Sequence, residues 1–351
     1  MFINIEKRGI NTGFDFLSSE AGFGILQSLI EYDESDTHGK VFIVGLLNTI
    51  LVSVIGIIFA TIIGLLVGIG RLSKNFMVAK LSLIYVETFR NIPILLQILF
   101  WYNVVLASLP SPRQSISFFD SIFFNNRGLY IPRPILESGF TAVIIAFIIA
   151  IAGVFYLSKW ANKRHDETGQ EFPTFWVSLA ILISAPLLVF LISGSPASLE
   201  IAALKGFNFK GGWTLIPELL ALAFALSIYT ATYIAEAVRA GIEAVPKGQK
   251  EAASALGLKD HVILKKVVLP QALRVIIPPV INQYLNLVKN SSLATAIGYP
   301  ELVTIFSGTS LNQVGQAIEI ILMTMAVYLT LSILISILMN YINSRMQIKE
   351  R

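Results

Sequence analysis

Residues 251–270 read EAASALGLKDHVILKKVVLP, a charged and alanine-rich segment that separates two long apolar stretches of the chain. Glu251, Ala252 and Ala253 favour a short helix, and Gly257 suits the left-handed position that ends a helix. Pro270 marks the start of the next element. A polar segment of this kind in an apolar chain predicts a surface element on which another protein docks.

The composition is that of an integral membrane protein. Mean hydropathy is +0.72 and only 14% of the residues are charged, whereas charged residues make up about 25% of an average soluble domain. Seven apolar stretches reach or approach the roughly 20 residues that a membrane helix requires, namely 42–69, 80–107, 139–157, 173–193, 214–238, 272–295 and 317–340. All seven are expected to be helical, because lipid offers no partner for the backbone of an open strand.

Lysine and arginine are sorted between alternate connections of these stretches. One set of connections holds 16 of the 26 basic residues and comprises 70–80, 158–172, 239–275 and 341–351. The other set holds 8 and comprises 1–41, 108–138, 194–213 and 296–316. The positive-inside rule therefore predicts that the first set is cytoplasmic, with the amino terminus outside and the carboxy terminus inside.

The spacing within 251–270 resembles the cytoplasmic signature of permease subunits of ABC importers. It runs Glu-Ala-Ala, three residues, Gly257, nine residues, Val267, one residue and Leu269-Pro270. The segments ETFRNIPILLQILFWY at 87–102 and VPKGQKEAASALGL at 245–258 are similar to permeases for polar amino acids. The similarity runs from GLLNTILVS at 45–53 to the carboxy terminus, with an interruption at roughly 108–213.

The total length and the inserted block are similar to those of general L-amino-acid permease subunits. Larger members of that group carry an additional amino-terminal membrane helix, which this sequence does not show, so either the start is late or the protein dispenses with that helix. The resemblance implies an all-α membrane protein, a type I ABC importer permease core of five helices with an inserted helix pair. The expected parts are an external segment 1–41, a first core part 42–107, an insert 108–213, a second core part 214–340 that contains the cytoplasmic loop 239–275, and a tail 341–351.

The resemblance also implies a set of partners. The sequence contains no G-x-x-x-x-G-K-[ST] phosphate-binding motif, so the chain is expected to be a non-catalytic subunit that binds no cofactor, with ATP bound by two separate ATPase subunits. A second permease, expected to form a heterodimer with this chain, and an extracytoplasmic amino-acid-binding protein complete the importer in a bacterial inner membrane. Besides these proteins, the chain is expected to contact membrane lipid and no nucleic acid.

The rival interpretations are an ion-coupled secondary amino-acid transporter and a membrane-embedded enzyme. The first is disfavoured because no inverted internal repeat is visible, and the second because no catalytic constellation is present. The chain has no cysteine, and its three histidines, His38, His165 and His261, are far apart in predicted loops. No metal site is therefore expected.

The coupling residues implied by the resemblance are Glu251, Ala252, Ala253, Gly257, Val267, Leu269 and Pro270. A helix over 247–258 would lie across the end of the bundle and seat in a groove of the ATPase, where Ala252 and Ala253 would permit close approach. The plainer alternative is a solvated helix whose early Glu251 complements its own dipole, an effect of only about 0.3–1 kcal/mol.

Polar residues within the apolar stretches are candidates for the substrate path, because a charge at mid-bilayer is costly unless it faces protein or water. Asn282, Asn286 and Lys289 follow at intervals of four and three and share one helix face, which favours a path over interhelical hydrogen bonds. Glu87 and Arg90 stand one turn apart, so an ion pair at a protomer interface and a path-lining role are equally favoured.

Two further patterns concern Pro93, on the helix that carries Glu87, and the pair Glu236 and Arg239 at the end of the stretch 214–238. Pro93 removes the backbone hydrogen bond to residue 89, which predicts a kink and a carbonyl at residue 89 that is free for a ligand or a neighbouring helix. Glu236 and Arg239 repeat the spacing of three and are interpreted as an ordinary pair at a helix end.

Three other segments carry weaker signals. Small residues at Ala60, Gly64 and Gly68 predict a face against which another helix packs closely. Residues 20–30, with Phe23, Leu26 and Ile30 on one face, predict a short external interfacial helix. The turn Gly298-Tyr299-Pro300 before ELVTIF at 301–306 predicts either a gate-like segment or a plain external loop, and the loop is preferred.

Overall fold

The structure is a computed structural model that describes residues 12–170 and 172–346. The described residues are mainly helical, and the fold is that of an all-α membrane protein. The helices are α1 His38–Arg71, α2 Phe76–Asn91, α3 Ile94–Phe100, α4 Phe140–Thr168, α5 Thr174–Ile192, α6 Pro217–Glu243, α7 Lys247–Ala255, α8 Asp260–Ile263, α9 Leu269–Asn290, α10 Leu311–Val314 and α11 Ala317–Met346.

The chain divides into two compact units. Within the described residues, the larger unit comprises those of Met1–Leu109, Asn126–Gly128 and Leu215–Arg351. The smaller unit comprises those of Pro110–Asn125 and Leu129–Thr214.

The smaller unit contains the helical hairpin α4–α5 and short strands, of which β3 and β8 each have one end residue, Gly128 and Leu215, in the larger unit. The strands are β1 Ile116–Phe118, β2 Ile122–Asn125, β3 Gly128–Ile131, β4 Arg133–Leu136, β5 Ala197–Glu200, β6 Ala203–Lys205, β7 Asn208–Lys210 and β8 Trp213–Leu215. β1 pairs with β2, β4 with β5 and β6 with β7, all antiparallel. The connections that flank the two inserted helices are therefore partly ordered as β-structure.

Five helices within the described residues are long and apolar enough to cross a membrane. They are α1, α4, α5, α6 and α11. The predicted span 80–107 is a broken pair, because Phe76–Asn91 and Ile94–Leu106 meet at an angle of 101°; counted as one span, the pair raises the number to six. The predicted span 272–295 is only partly α9, because this helix of 22 residues ends at Asn290 and a 3-10 helix, Ser291–Ile297, follows it. α9 is too polar to be counted with the others.

In the larger unit, α1 packs closely against α6. A Cβ placed on Gly64 would lie 2.6 Å from Cβ of Ile234, and one on Gly68 would lie 2.8 Å from Cβ of Val238. The predicted small-residue face therefore packs against α6, whose own side chains are largely buried. Ala60, on the same face, is completely buried.

The prediction of an interfacial helix over 20–30 is wrong. These residues are irregular, and a single 3-10 turn precedes them at Asp15–Ser18. The backbone is held by other partners, since Ala21 donates to the carbonyl of Asp36 at 2.8 Å and Asn48 Nδ2 donates to that of Gln27 at 2.9 Å. Leu26 remains 84% exposed, so the three apolar side chains do not form one buried face.

The start of α1 is fixed by polar contacts of its first turn. The Thr37 side chain accepts a hydrogen bond from the backbone N–H of Lys40, as an N-cap does. Lys40 Nζ donates to Asp36 Oδ2 at 2.8 Å, and this hydrogen bond lowers the pKa of Asp36. His38 is not in an exposed loop as expected but is the buried first residue of α1, where Nδ1 lies 2.9 Å from Ser310 Oγ.

Candidate functional site: a short exposed helix and a cavity beside Lys289

A short helix occupies the segment for which the sequence predicts one. α7 spans Lys247–Ala255 and ends at Gly257, which has a φ of 76°. The N–H of Leu258 bonds to the carbonyl of Ala253 at 3.4 Å, and that of Gly257 bonds to the carbonyl of Ser254 at 2.9 Å. This pair of bonds is the Schellman motif, which requires a left-handed residue and therefore favours glycine.

The exposed face of α7 differs from the one expected. Glu251 and Ala252 are exposed, but Ala253 is only 5% exposed and belongs to the hydrophobic core. The expectation that Ala253 permits close approach of a partner is therefore wrong, because the helix turns this methyl group inward. Leu256, which the sequence pattern did not single out, is 80% exposed directly before the left-handed turn.

The second half of the coupling segment anchors α7 to the bundle. Val267 and Leu269 are partly buried, and Val267 packs against the core cluster that contains Ala253 and Ile263. Pro270 lies in the first turn of α9, where its missing N–H has no helical partner to lose. These residues therefore connect α7 to a membrane helix without offering a surface of their own.

The polar residues of α9 lie on one exposed face. Asn282, Asn286 and Lys289 are all exposed, whereas Ile281 and Val288 on the other side are buried. A lysine that faced lipid at this depth would cost about 2.5–3.5 kcal/mol on insertion scales. This face consequently requires cover from protein or from an aqueous route.

A cavity of about 590 Å³ opens beside Lys289, between α9 and α11. It is lined by Lys289, Ser292, Val303, Thr324, Met325, Tyr328, Leu329 and Ser332. Its volume falls in the range typical of small-molecule sites, and its lining combines apolar side chains with one cation and several hydroxyl groups. Ser292 lies in the turn that follows α9, where its hydroxyl donates to the carbonyl of Lys289 at 2.7 Å. Tyr328 and Ser332 could not be predicted as neighbours of Lys289, because only the packing of α11 brings them there.

Glu87 and Arg90 form an ion pair on α2. Arg90 Nη2 lies 3.4 Å from Glu87 Oε1, and Asn91 Nδ2 donates to the carbonyl of Glu87 at 2.7 Å. No hydrogen bond or ion pair within the described residues joins this pair to the polar face of α9. The structure therefore separates the five predicted path residues into two groups, one on each helix.

At the break before Pro93, the free backbone carbonyls accept hydrogen bonds from a side chain that the sequence did not point to. Gln97 Nε2 donates to the carbonyl of Phe89 at 2.8 Å and to that of Ile92 at 2.9 Å. Gln97 is itself only 4% exposed. The prediction that the carbonyl at residue 89 is free for a ligand or a neighbouring helix is wrong, because this amide already occupies it.

Glu236 and Arg239 belong to a larger network than the pair expected from the sequence. Glu236 accepts from Arg239 on its own helix and from Arg71 at the end of α1, and Arg239 also pairs with Glu243. The network therefore links the carboxyl-terminal ends of α1 and α6. Because both arginines already face carboxylates, neither is a free cation for a substrate.

The segment after Gly298 is not the plain loop that the sequence analysis preferred. Tyr299, Glu301, Leu302 and Phe306 are completely buried, and a π-helical turn spans Val303–Ser310. Long-range bonds hold the segment in place, since Asn48 Nδ2 donates to the carbonyl of Pro300 at 2.8 Å. The burial of this segment depends on these contacts with α1, which no local pattern encodes.

The Glu301 carboxylate is surrounded by donors. It accepts from the N–H of Val303 at 2.9 Å, from the N–H of Thr304 at 2.8 Å and from the Thr304 hydroxyl at 2.9 Å. The Tyr328 hydroxyl donates at 2.9 Å to Oε2, the oxygen that also accepts from Val303. Tyr328 therefore connects this buried carboxylate to the cavity beside Lys289.

The comparisons agree with this architecture. Residues 143–348 match the family described as the binding-protein-dependent transport system inner membrane component. The putative amino-acid ABC transporter permease protein YhdX of Escherichia coli strain K12 is 56% identical over 348 residues, covering 99% of this chain and 88% of the relative. The general L-amino acid transport system permease protein AapQ of Rhizobium johnstonii is 52% identical over 349 residues, covering 99% and 87%.

The fold also has a counterpart among solved structures. A crystal structure of an amino acid ABC transporter with histidines contains a chain with a TM-score of 0.51 and 18% identity, and the match covers 88% of this chain and 95% of the other. A projecting polar helix, a bundle of apolar helices and close relatives over nearly the whole sequence lead to one assignment. The chain belongs to the inner-membrane permease subunits of amino-acid ABC importers.

Proposed function

We propose that this permease subunit forms part of the amino-acid path and is driven by a separate ATPase that docks on α7. The observation that carries this proposal is the exposed end of α7, where Glu251, Ala252 and Leu256 project from a helix that is fixed at both ends. One face of α7 packs on the core of the subunit and the opposite face is exposed. This arrangement suits a helix that transmits a force from a docked protein to the membrane helices. Further support comes from the spacing of residues from Glu251 to Pro270, which resembles the cytoplasmic signature of ABC importer permeases.

The orientation follows from the charge distribution. The loop 239–275 alone contains seven of the basic residues, and under the positive-inside rule it lies in the cytoplasm. The amino terminus is then external and the carboxy terminus cytoplasmic. This arrangement brings α7 to the side of the membrane on which ATP is available.

The substrate path runs along the polar face of α9 and the cavity beside Lys289. An amino acid carries a carboxylate that the Lys289 ammonium can meet with a charge-assisted hydrogen bond. The hydroxyls of Ser292 and Ser332 offer further partners in the same cavity. Glu87 and Arg90, which neutralise each other, have a structural role at the interface with the second permease.

The transport cycle is alternating access. Closure of two ATPase subunits on ATP moves the α7 helices of both permeases together and opens the path outward, where a loaded binding protein releases its amino acid. Hydrolysis reverses the movement and opens the path inward. ATP is bound by the partner and not by this chain, and the second permease is a different chain.

Broad specificity for L-amino acids is the substrate class that we propose. Its support is the name of the relative from Rhizobium johnstonii, a general L-amino acid transport permease, which is similar over nearly the whole chain. Uptake of one labelled amino acid in competition with acidic, neutral and basic L-amino acids tests this class. Competition by only one chemical group would contradict broad specificity.

The coupling role is tested by ATP-driven uptake into proteoliposomes that contain the complete importer and no ion gradient. Gly257→Val and Glu251→Lys are expected to abolish uptake while membrane insertion stays normal. A side chain at Gly257 must adopt a left-handed conformation, which costs roughly 1–2 kcal/mol. Gly153→Val is the control, because Gly153 lies outside the coupling segment and a Cβ added there meets no atom within 4 Å.

Normal uptake by Gly257→Val and Glu251→Lys would contradict the coupling role. Uptake that persists without ATP and follows an ion gradient would instead establish secondary transport. A Leu256→Cys variant adds a direct measure of proximity, since this exposed position is expected to crosslink to a cysteine in the ATPase groove in the working complex. Absence of such a crosslink in a transporting complex would also overturn the proposal.

A further inference from the structure

The cytoplasmic-type end of α4 carries an unusual arrangement of cations and aromatic rings. α4 contains 29 residues and is about 43 Å long, which exceeds the roughly 30 Å of the hydrocarbon layer. Residues 140–158 carry no charge, and neither do residues 174–192 of α5. All charges of this hairpin are therefore confined to the last part of α4 and the turn that follows it.

The cations lie on two adjacent stripes of the α4 surface. Phe155, Lys159 and Lys163 follow at intervals of four, so they lie one above the other along the helix. Lys159 Nζ lies 4.7 Å from the centre of the Phe155 ring. This stripe thus presents an aromatic ring toward the apolar part of the helix and ammonium groups beyond it.

The second stripe repeats the same order. Tyr156, Trp160 and Arg164 also follow at intervals of four. The Arg164 guanidinium lies 5.4 Å from the centre of the Trp160 ring and donates to Gln170 Oε1 at 2.9 Å. Tyr156 is 76% exposed, so the ring is open to whatever surrounds the helix.

The cations of these stripes are not neutralised by ion pairs with carboxylates. Within the described residues, neither Lys159 nor Arg164 forms an ion pair, and Lys163 lies 3.7 Å from Glu167 with both side chains mostly exposed. An exposed pair of this kind contributes little and does not cancel the attraction of Lys163 for another anion. Asp166 and Glu167 lie beyond the lysines, further from the apolar part of the helix.

The surface that bears the stripes is largely uncovered within its own unit, although the Trp160 ring packs edge-to-face on Phe172 with the ring centres 5.4 Å apart. α4 packs on α5 through buried small side chains such as Ala150 and Ala161, whereas Phe155, Tyr156 and Lys159 are exposed. No residue of α5 is buried. The hairpin therefore offers apolar flanks to acyl chains, with cations at the level where the phosphates of a bilayer lie.

We infer that this surface, defined by Phe155, Tyr156, Lys159, Trp160, Lys163 and Arg164, binds anionic phospholipid. The rings contact the glycerol and upper acyl region, and the three cations contact the phosphate and the additional anionic group. Charge complementarity and the order of rings and cations argue for a lipid as the occupant. The assignment of this surface to the inner leaflet rests on the orientation given under Proposed function.

Fluorescence of Trp160 provides the test, because this residue lies within the surface. The chain has four tryptophans, so Trp101→Phe, Trp176→Phe and Trp213→Phe leave Trp160 alone. The full chain is placed in phosphatidylcholine nanodiscs that contain increasing fractions of either brominated phosphatidylglycerol or brominated phosphatidylcholine. Phosphatidylglycerol is expected to quench Trp160 at a lower mole fraction than phosphatidylcholine does.

The variant Lys159→Gln, Lys163→Gln, Arg164→Gln is expected to lose this preference, by about fivefold for each cation removed. Lys205→Gln with Lys210→Gln, in β6 and β7 of the same unit, is the control that should retain it. Quenching is normalised to the unquenched emission of each variant, which removes the effect of losing the Arg164 contact. Normal helicity of the variant excludes misfolding.

Three outcomes would overturn the inference. The first is equal quenching of the wild-type surface by the two lipids, and the second is an unchanged preference in the triple variant. The third is quenching in the isolated chain that disappears for both lipids in the assembled importer, which would identify a protein subunit as the occupant. Since quenching is measured without ATP or substrate, its failure and a failure of ATP-driven uptake are distinguishable.

Discussion

The side-chain amide of Gln97 donates 2.8 Å to the carbonyl oxygen of Phe89, the group from which Pro93 removes a helical partner. A second bond from the same amide reaches the carbonyl of Ile92 at 2.9 Å. One glutamine therefore satisfies both carbonyl groups at a break of 101°. Within lipid, no water can replace these hydrogen-bond partners. The Gln97 bonds therefore stabilise the angle between α2 and the segment that follows Pro93.

Gln97→Leu should destabilise the purified chain. The substitution leaves two backbone carbonyls without a donor, and each unsatisfied buried group costs about 1–3 kcal/mol. The measurement is thermal unfolding in detergent, where a lower midpoint is expected. Asn103→Leu is the control, since Asn103 is exposed and its side chain donates to the carbonyl of Leu99, four residues earlier. Equal midpoints for the two variants would contradict the role of Gln97.

Gly64→Ala and Gly153→Ala should change stability in opposite directions. A Cβ on Gly64 meets Ile234 at 2.6 Å, so the methyl group forces α1 from α6, and overpacking of this kind typically costs 1–3 kcal/mol. Gly153 lies inside α4 with no atom within 4 Å of the added Cβ, and alanine there gains about 0.5–1 kcal/mol of helix stability. Size-exclusion profiles after heating compare the two, and a harmless Gly64→Ala would refute the close packing.

Tyr328→Phe should lower the unfolding midpoint although it removes a single oxygen atom. The hydroxyl donates to the buried Glu301 side chain at 2.9 Å, and a buried polar group that loses its partner costs about 1–3 kcal/mol. Tyr156→Phe, at a position that is 76% exposed, serves as the control and should leave the midpoint unchanged. If both variants unfold alike, the tyrosine does not stabilise the buried carboxylate.

Lys289→Met should weaken uptake of zwitterionic amino acids more than it weakens assembly of the importer. Loss of one charge-assisted hydrogen bond of about 1.5–3 kcal/mol corresponds to a reduction in kcat/KM of roughly tenfold or more. Lys289→Arg keeps the cation in the cavity and should retain most of the uptake. Initial uptake rates in proteoliposomes measure the effect. Lys265→Met, which removes a cation outside the cavity, is the control. An unaffected Lys289→Met variant would exclude this lysine from the path.

Several features were accessible from sequence because they depend on neighbouring residues. The end of α7 at Gly257 follows from one left-handed glycine after an alanine-rich turn, and the structure contains the matching Schellman bonds. The small-residue face at Gly64 and Gly68 follows from a repeat of four, and the structure packs it against α6. Both inferences use the periodicity of a single helix.

Other features depend on residues that are distant along the chain. Burial of Glu301 results from Asn48 and Thr49 on α1, which bond to residues more than 250 positions away. The cavity beside Lys289 needs α11, and the inward turn of Ala253 needs Ile263 and Val268 in the same core cluster. Helix periodicity identifies faces, but it does not say which face of which helix will meet another.

The glycine contact between α1 and α6 limits how this subunit can change shape. With no side chain between Gly64 and Ile234, the two helices lack any soft layer along which one could slide past the other. We therefore expect α1 and α6 to move together as one rigid pair during transport. A change of shape must then occur elsewhere in the larger unit, and Gly315, a left-handed residue that separates α10 from α11, is a position at which the backbone can rotate.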